Sequence, residues 1–346
     1  MRGFATEAFP GIACALRRRA TAAFAAWLAA WLACAAVPAL AQSPLDSVVA
    51  VRASVPPDAR TADSLGTERE GSGVVIGPDG LVLTIGYLIL EAISAEITLQ
   101  DRRIVPAEVV AYDYETGFGL LRPLGDTGLP AVQLGESAGL HQDNPVLVAS
   151  FGASDAGAPD ATAAYVVSRR EFAGYWEYLL PDAIFTAPPH LSFGGAALLG
   201  PDGRLLGIGS LFVSDAASPG AQMAGNMFVP IDALKPILED LRVAGQSQGP
   251  RRPWLGVYTE EVRGHLFVRR VAPGGPADSA GLRANDVILG VDGGPVEGLA
   301  DFYKRVWALG GPGVEVPMTV LSGGQVQDLA ITSGDRYDYL KLNPSF

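Results

Sequence analysis

The sequence predicts a mainly β protein in which a pair of small barrels, or a sandwich, precedes a second and smaller unit. The 346 residues include 42 Gly and 26 Pro, and this abundance of turn-forming residues favours many short strands over long helices. Short apolar runs separated by turns recur from Ser47 to about Val213 in two groups of about six, as in barrels and sandwiches. With 49% hydrophobic residues, the chain has enough apolar material for the cores of about two domains.

The first 41 residues are predicted to be a signal peptide. Arg17–Arg19 precede an apolar run that ends near Val37, and the small-x-small motif Ala39–Ala41 follows. We therefore expect cleavage after Ala41 and export to the periplasm or beyond. Two alternatives stay open. The run is just long enough to be an uncleaved inner-membrane anchor, and Cys34 lies in a weak likeness of a lipobox.

Export limits both the cysteine chemistry and the partners of the mature chain. Cys14 and Cys34 both lie in the leader, so the mature chain has no disulfide and depends on packing for stability. Removal of a leader with a net charge of +3 takes the formal charge from −12 to −15. Such an acidic chain repels nucleic acid and anionic lipid. We expect no nucleic-acid partner, and membrane contact only if the leader is retained.

The predicted strands of the first unit fall into two groups, each with a Pro-Asp-Gly turn, at Gly77–Gly80 and at Pro201–Gly203. The first group is Ser47–Ala53, Gly73–Ile76, Leu81–Ile85, Ala95–Leu99, Val105–Tyr112 and Phe118–Leu121. The second group is Ala131–Leu134, Val146–Ser150, Ala161–Arg169, Ala183–Ala187, Ala196–Leu199, Leu205–Leu211 and Met227–Val229.

A helix is predicted after the strands, over Ile231–Val243, because apolar residues recur there at spacings of three and four. The segment 244–252 is rich in Gly, Gln, Ser, Pro and Arg and is predicted to be a linker. The second unit is predicted to have short and long helices near Ala277–Ala280 and Leu299–Leu309. Its predicted strands are Leu255–Tyr258, Leu266–Val271, Asp286–Val291, Val314–Leu321 and Val326–Thr332.

The second unit resembles the PDZ domain of bacterial proteases. The resemblance lies in Ala272–Leu282 (Ala-Pro-Gly-Gly-Pro-Ala-Asp-Ser-Ala-Gly-Leu) and Asp286–Gly293 (Asp-Val-Ile-Leu-Gly-Val-Asp-Gly). Trp254–Val257 is similar to the carboxylate-binding loop of that family. Successive backbone N–H groups of such a loop form a nest for a C-terminal carboxylate.

The resemblance implies a groove that binds protein C-termini or unfolded, extended peptides. We expect the peptide to add as a strand beside Leu255–Tyr258 and to place its last side chain in an apolar pocket. The expected peptide-binding residues are Trp254, Leu255, Gly256, Val257, Phe302 and Val306. The alternative is a PDZ fold that packs on the barrels and binds nothing.

The first unit resembles the HtrA (Deg) family of trypsin-like serine proteases over about Ser47–Leu241. Glu70–Ile76 with Pro78–Thr84, Val109–Thr116 and Phe228–Ile231 look like family segments in the family's order. Gly194-Gly195 looks like the close of the nucleophile motif. The resemblance implies a trypsin-like double β-barrel followed by a PDZ domain.

Compared residue by residue, the chain departs from the family at its catalytic positions. Tyr87 stands at the position of the catalytic His, Gly117 at that of the Asp, and Phe193 at that of the nucleophilic Ser. Leu191 replaces a Gly that helps aim oxyanion-hole N–H groups. We expect no catalytic residues at these positions and predict that the Tyr87 and Phe193 rings stack and fill the site. Only Ser192 with His190, two residues apart, offers a substitute nucleophile and base.

These observations predict a signal peptide (1–41), a trypsin-like domain (42–243), a linker (244–252), a PDZ domain (253–335) and a C-terminal tail (336–346). The predicted function is that of an HtrA-like pseudoprotease, not an enzyme, which binds peptides as a scaffold, holder or regulator. The alternatives are a serine-type endopeptidase with an unconventional site and a structural subunit of an envelope complex. We expect no cofactor and no metal. A homotrimer through Leu45, Val48, Val49 and Val51 is a further expectation from the family.

Overall fold

A computed structural model describes residues 43–151 and 159–340, and it confirms the mainly β fold. The predicted signal peptide and its cleavage after Ala41 lie outside the described residues. Six strands form a first closed barrel in the order β1-β2-β3-β6-β5-β4. They are β1 (Val48–Ser54), β2 (Glu68–Val75), β3 (Val82–Ile85), β4 (Ser94–Thr98), β5 (Ile104–Tyr112) and β6 (Phe118–Pro123).

The first barrel buries the apolar side chains of β1. Val48, Val49 and Val51 are at most 1% exposed and belong to the barrel core, whereas Arg52 faces solvent and pairs with Glu70 of β2. The sequence predicts that these valines contribute to a trimer surface. Their side chains are instead buried within the chain and are not available for such a contact. A short helix, α1 (Ala62–Leu65), lies in the connection between β1 and β2.

Six further strands close a second barrel in the order β10-β11-β12-β9-β8-β7. They are β7 (Pro145–Ser150), β8 (Asp160–Gly174), β9 (Tyr178–Ala187), β10 (Ala197–Leu199), β11 (Leu205–Val213) and β12 (Gly225–Pro230). The predicted strand Ala131–Leu134 is wrong. Val132 donates to Val75 O and Leu205 donates to Gln133 O, so the segment joins the two barrels.

The predicted helix Ile231–Val243 is interrupted. A 3₁₀ turn at Ile231–Ala233 precedes α2 (Leu238–Ala244), which ends at Gly245 in the left-handed conformation with φ of 72°. Acidic Glu239 and Asp240 lie in the first turn of α2, where the helix dipole favours negative charge. No helix among the described residues is both long and apolar enough to cross a membrane.

The remaining residues form a sheet in the order β13-β14-β15-β17-β18, with β16 paired to β15. The strands are β13 (Val257–Val262), β14 (His265–Val271), β15 (Val287–Val291), β16 (Gly294–Pro295), β17 (Glu315–Ser322) and β18 (Gln325–Thr332). The helices are α3 (Pro276–Ser279), α4 (Leu299–Ala308) and α5 (Arg336–Tyr339). The apolar face of α4 buries Leu299, Phe302, Tyr303 and Val306 against this sheet.

The hairpin of β8 and β9 extends well beyond the strands that the sequence predicts. Predicted strand ends at Arg169 and Ala183 become Gly174 and Tyr178, so the hairpin projects out of the second barrel. Glu171 and Pro181-Asp182 disfavour strands locally, which explains why the extension is missed. Leu179 and Leu180 are buried, and Leu179 joins the apolar cluster of the last sheet.

Candidate functional site

Tyr87, Gly117 and Phe193, which are far apart in sequence, all line one cavity of about 340 Å³. Most of the remaining wall is apolar and aromatic and includes Ile85 and Tyr178. Tyr87 and Phe193 also line a larger groove of about 720 Å³ together with Leu191 and Ser192. The structure therefore brings the three positions singled out by the family resemblance to one place.

Tyr87 is held on both its backbone and its side chain. Its hydroxyl donates to Ser210 O at 2.9 Å, and the buried guanidinium of Arg69 donates to Tyr87 O and Leu90 O. Burial raises the pKa of the Tyr87 phenol well above its usual range. The phenol is therefore neutral at ordinary pH and acts as a hydrogen-bond donor.

Gly117 closes a tight turn before β6. Its φ is +85°, its N–H donates to Asp113 O, and its carbonyl accepts from Gly86 N at 2.7 Å. Asp113 is buried and accepts hydrogen bonds from the Thr116 backbone and hydroxyl. Burial raises the pKa of the Asp113 carboxyl, which the bonds from Thr116 partly oppose. The carboxylate of Asp113 stabilises the turn.

The loop that carries Phe193 is fixed by the glycines that follow. Gly194 O accepts from Ser72 N, and Gly195 N donates to Gly209 O. Gly195 has φ of +75°, and a Cβ there would lie 1.9 Å from Ser72 O. Leu191 is 81% exposed. Among residues 43–151 and 159–340, the rings of Tyr87 and Phe193 do not form the predicted stacking contact. The Tyr87 hydroxyl instead donates to Ser210 O.

A buried Ser-His-Thr set lies behind this loop. Ser150 Oγ is 2.7 Å from His190 Nε2, and Thr162 Oγ1 is 2.9 Å from His190 Nδ1. His190 is 3% exposed, its backbone is fixed by two hydrogen bonds with the Asn226 amide, and burial lowers the pKa of its imidazole. The sequence analysis predicts Ser192 as the partner of His190. Both ring nitrogens of His190 instead contact Ser150 and Thr162, which closure of the barrel brings next to the imidazole.

The loop Trp254–Val257 lies where the sequence predicts a carboxylate nest. Trp254 pairs with Gly334 through two backbone hydrogen bonds, and its ring packs 4.5 Å from that of Tyr339. Gly256 has φ of +78°, and Ala272 donates to its carbonyl at 2.7 Å. This geometry turns three successive N–H groups, those of Leu255, Gly256 and Val257, towards one point.

A carboxylate from the hairpin of β8 and β9 occupies that point. Glu177 Oε2 accepts from Leu255 N at 3.0 Å, and Glu177 Oε1 accepts from Gly256 N and Val257 N at 2.6 and 2.8 Å. Glu177 is buried, and burial raises the pKa of its carboxyl against the opposing effect of these bonds and of Arg336. Glu177 is not among the site residues that the sequence predicts.

The walls of the predicted groove are covered as well. Phe302, Val306 and Leu255 are at most 1% exposed, and Leu179 packs in the same apolar cluster. The β13 edge is engaged by Tyr175, whose carbonyl accepts from Thr259 N at 3.0 Å. Of the six expected peptide-binding residues, Leu255, Gly256 and Val257 donate to Glu177. Phe302 and Val306 belong to the apolar cluster that includes Leu179, and Trp254 packs against Tyr339.

Comparison with known families assigns both units. Residues 71–208 match the trypsin-like peptidase domain, and residues 253–332 match the PDZ domain. The chain is thus a trypsin-like domain followed by a PDZ domain. This order of domains is similar to that of the HtrA-type proteases described below.

Two curated relatives are named probable periplasmic serine endoprotease DegP-like. That of Pseudomonas fulva (strain 12-X) is 28% identical over 297 residues, or 81% of this chain and 60% of the relative. That of Ectopseudomonas mendocina (strain ymp) is 29% identical over 289 residues, or 78% of this chain and 58% of the relative. The chain therefore spans about three fifths of the length of these relatives.

Solved structures of the HtrA-type protease AlgW share the fold. AlgW with a decapeptide has a TM-score of 0.51 at 23% identity, covering 84% of this chain and 96% of that one. AlgW with a tripeptide has a TM-score of 0.50 at 24% identity, covering 84% and 94%.

The prediction that this chain is a pseudoprotease, and not an enzyme, is contradicted by these findings. The curated relatives are named serine endoproteases. The structure also contains the Ser150–His190 hydrogen bond, which is consistent with a protease. No local sequence pattern indicates this bond, because barrel closure pairs His190 with a serine 40 residues away.

Proposed function

We propose that this chain is a periplasmic HtrA-type protein that binds exposed C-termini or extended segments of other proteins through its PDZ groove. The observation that carries the proposal is the convergence of three backbone N–H groups, of Leu255, Gly256 and Val257, on a single carboxylate. A peptide C-terminus presents the same chemical group to the same donors.

The edge of β13 supplies the second half of the recognition mode. The N–H of Thr259 donates outward from the sheet, to a carbonyl that is not part of it. An extended peptide can use the same donor by adding as a strand, while α4 forms the opposite wall. The combination favours a segment with a free carboxylate and an apolar last residue.

The proposed location rests on the leader and on the names of the relatives. The relatives are named periplasmic, and the leader has the pattern of a signal peptide. A homotrimer remains a prediction, and so does a role as structural subunit of an envelope complex. A structural subunit would not need selectivity for a free carboxylate.

The test is a binding titration of the mature chain, residues 42–346, with fluorescein-labelled decapeptides that end in valine. One peptide has a free C-terminal carboxylate, and the other has a C-terminal amide. We expect the carboxylate peptide to bind at least about tenfold more tightly, because charge-assisted hydrogen bonds are about twice as strong as neutral ones. Equal affinity, or no binding of either peptide, would refute the proposal.

Serine-type hydrolysis of the bound segment is a second candidate function. The specific observation in its favour is the chain of hydrogen bonds Ser150–His190–Thr162. In such a reaction His190 takes the proton of Ser150 as Oγ attacks the peptide carbonyl, and gives it to the leaving amine. A water, deprotonated by His190, then hydrolyses the acyl-serine ester and restores Ser150. Thr162 would orient the imidazole. Because Ser150 is fully buried, the substrate would have to enter beside Phe151, which lines the larger groove.

This candidate is tested by digestion of unfolded casein with the purified mature chain. If the pair acts in hydrolysis, Ser150→Ala lowers turnover about 10³-fold or more, whereas Ser192→Ala has little effect. Loss of activity in Ser192→Ala alone would assign the nucleophile to Ser192. Failure of the unaltered chain to cleave casein would remove this candidate and leave peptide binding as the function.

A further inference from the structure

We infer that Glu177 is a built-in ligand of the PDZ groove, so that a protein C-terminus must displace the tip of the β8–β9 hairpin in order to bind. The inference rests on the proposed peptide-binding function and specifies how that site is regulated. The hairpin tip is defined as Gly174–Glu177. The hairpin makes three kinds of contact that an external peptide would make: a carboxylate contact, a strand contact and an apolar contact.

The first contact is that of the carboxylate. Both oxygens of Glu177 accept from the loop, at 2.6 to 3.0 Å, and no cation of the loop takes part in these three bonds. A carboxylate held by consecutive backbone N–H groups is the arrangement expected of a bound C-terminus. The side chain of Glu177 therefore stands where a terminal carboxylate would stand.

The second contact is that of the strand. Tyr175 O accepts from Thr259 N on the outer edge of β13, which is the bond that an added strand makes. Tyr303 of α4 holds the tip from the opposite wall. Its hydroxyl donates to Gly174 O at 2.7 Å and accepts from Glu177 N at 3.1 Å.

The third contact is apolar. Leu179 is 6% exposed and packs in one buried cluster with Leu255, Phe302 and Val306. These three residues are among the peptide-binding residues that the sequence predicts. A competing C-terminus therefore needs an apolar final residue to replace what Leu179 provides.

The backbone of Glu177 adopts a conformation that is costly for a glutamate. Its φ is +56°, in the left-handed region that favours glycine. A turn selected for geometry alone would carry Gly or Asn there, since a glutamate in this region is strained. The strain is tolerated in a residue whose carboxylate makes three hydrogen bonds.

The electrostatics make the contact reversible. Glu177 is removed from water in a chain of net negative charge, and burial disfavours its ionised form. Arg336 donates to Trp176 O, and its charge partly offsets this effect. On release the carboxylate regains its hydration, so a competing ligand does not have to overcome the full strength of the three bonds.

The experiment compares affinities for the same carboxylate decapeptide in the mature chain and three variants. Glu177→Gln removes the charge and leaves one acceptor oxygen, and Glu177→Gly removes the side chain while suiting the positive φ. Asp182→Asn is the matched control, with the same change of charge on β9 at a carboxylate that is 55% exposed and pairs with Arg169. We expect both Glu177 variants to bind about tenfold more tightly, because a larger fraction of molecules has an open groove. Asp182→Asn should bind like the unaltered chain.

The outcomes separate the two proposals. If the unaltered chain binds the peptide and the Glu177 variants bind no more tightly, the built-in ligand is refuted while peptide binding stands. If no variant binds the peptide, both proposals fail. Should the Glu177 variants be misfolded, amide exchange on the unaltered chain decides. Saturating peptide should speed exchange at residues 174–177, and unchanged protection there would overturn the inference.

Discussion

The cleft that contains Tyr87 and Phe193 and the groove of the PDZ domain build their chemistry from different parts of the chain. The groove depends on the backbone N–H groups of Leu255–Val257, which any sequence that keeps the loop geometry retains. The cleft of an HtrA protease depends on the identities of a few side chains. The family resemblance predicts Tyr87, Gly117 and Phe193 at those positions, and the structure has a serine–histidine hydrogen bond elsewhere, at Ser150 and His190.

The difference teaches that recognition by backbone groups depends on loop geometry, whereas chemistry by side chains depends on which residues the barrel brings together. It also explains how the groove can be satisfied from within, since any carboxylate on a nearby turn can reach the same donors. Four predictions test the comparison, from the largest expected effect to the smallest.

The glycine of the cleft loop is expected to be the most sensitive position. Gly195→Ala would place a Cβ 1.9 Å from Ser72 O in a left-handed conformation. We expect a loss of about 4 kcal/mol or more in the free energy of unfolding, measured by urea denaturation. Gly128→Ala is the control, with φ of +64° and no atom within 4 Å, and should cost about 1 kcal/mol. Equal losses would mean that the loop is not fixed against β2.

The glycine of the PDZ loop should respond in the same direction but less strongly. In Gly256→Ala a Cβ would lie 3.0 Å from that of Ala272 at φ of +78°, so we expect a loss of about 2 to 3 kcal/mol. Carboxylate peptide binding should weaken with it. The control is Gly274→Ala, where φ is +68° and no atom lies within 4 Å, with an expected cost of about 1 kcal/mol. Intact peptide binding in Gly256→Ala would break the argument that backbone geometry defines the groove.

The buried imidazole of His190 should make stability depend on pH. Burial lowers the pKa of His190, so at acid pH the unfolded chain binds a proton that the folded chain does not. Stability is then fully present above about pH 6.5 and falls as pH drops towards the folded pKa, by at most about 1.4 kcal/mol per pH unit. His190→Gln should flatten this slope in melts from pH 7.5 to 5.5. The exposed His141→Gln should not flatten it, and an unchanged slope in His190→Gln would contradict the assignment.

Loss of the Tyr303 hydroxyl, which contacts the hairpin tip, should have the smallest effect on stability. Tyr303→Phe keeps the ring and removes the hydroxyl that contacts Gly174 and Glu177. We expect a loss of about 1 kcal/mol in stability together with a several-fold gain in peptide affinity, because the tip is released more easily. Tyr165→Phe, on an exposed ring of β8, is the control for loss of a phenol. A loss of stability without a change in peptide affinity would show that the Tyr303 hydroxyl does not restrain the tip in the groove.

The sequence predicts the fold and the nest but misses the contacts between distant segments. The turn at Gly77–Gly80 and the loop at Trp254–Val257 are local features, defined by residue types that need special backbone conformations. The partners of His190 and of the nest are not local. Ser150, Thr162 and Glu177 meet their partners only through barrel register and domain packing, which no local pattern specifies. The one available signal for the tip was the aromatic run Tyr175-Trp176 beside Glu177 on a hairpin.

The most direct test of the account is a measurement of amide exchange at the loop and at the tip in the same experiment. Without ligand, the amides of Leu255, Gly256 and Val257 and the tip 174–177 should be protected together. With saturating carboxylate peptide, the loop should stay protected while the tip loses its protection, because one carboxylate has replaced the other. Protection that persists at both places, or a loop that is unprotected without peptide, would contradict the account.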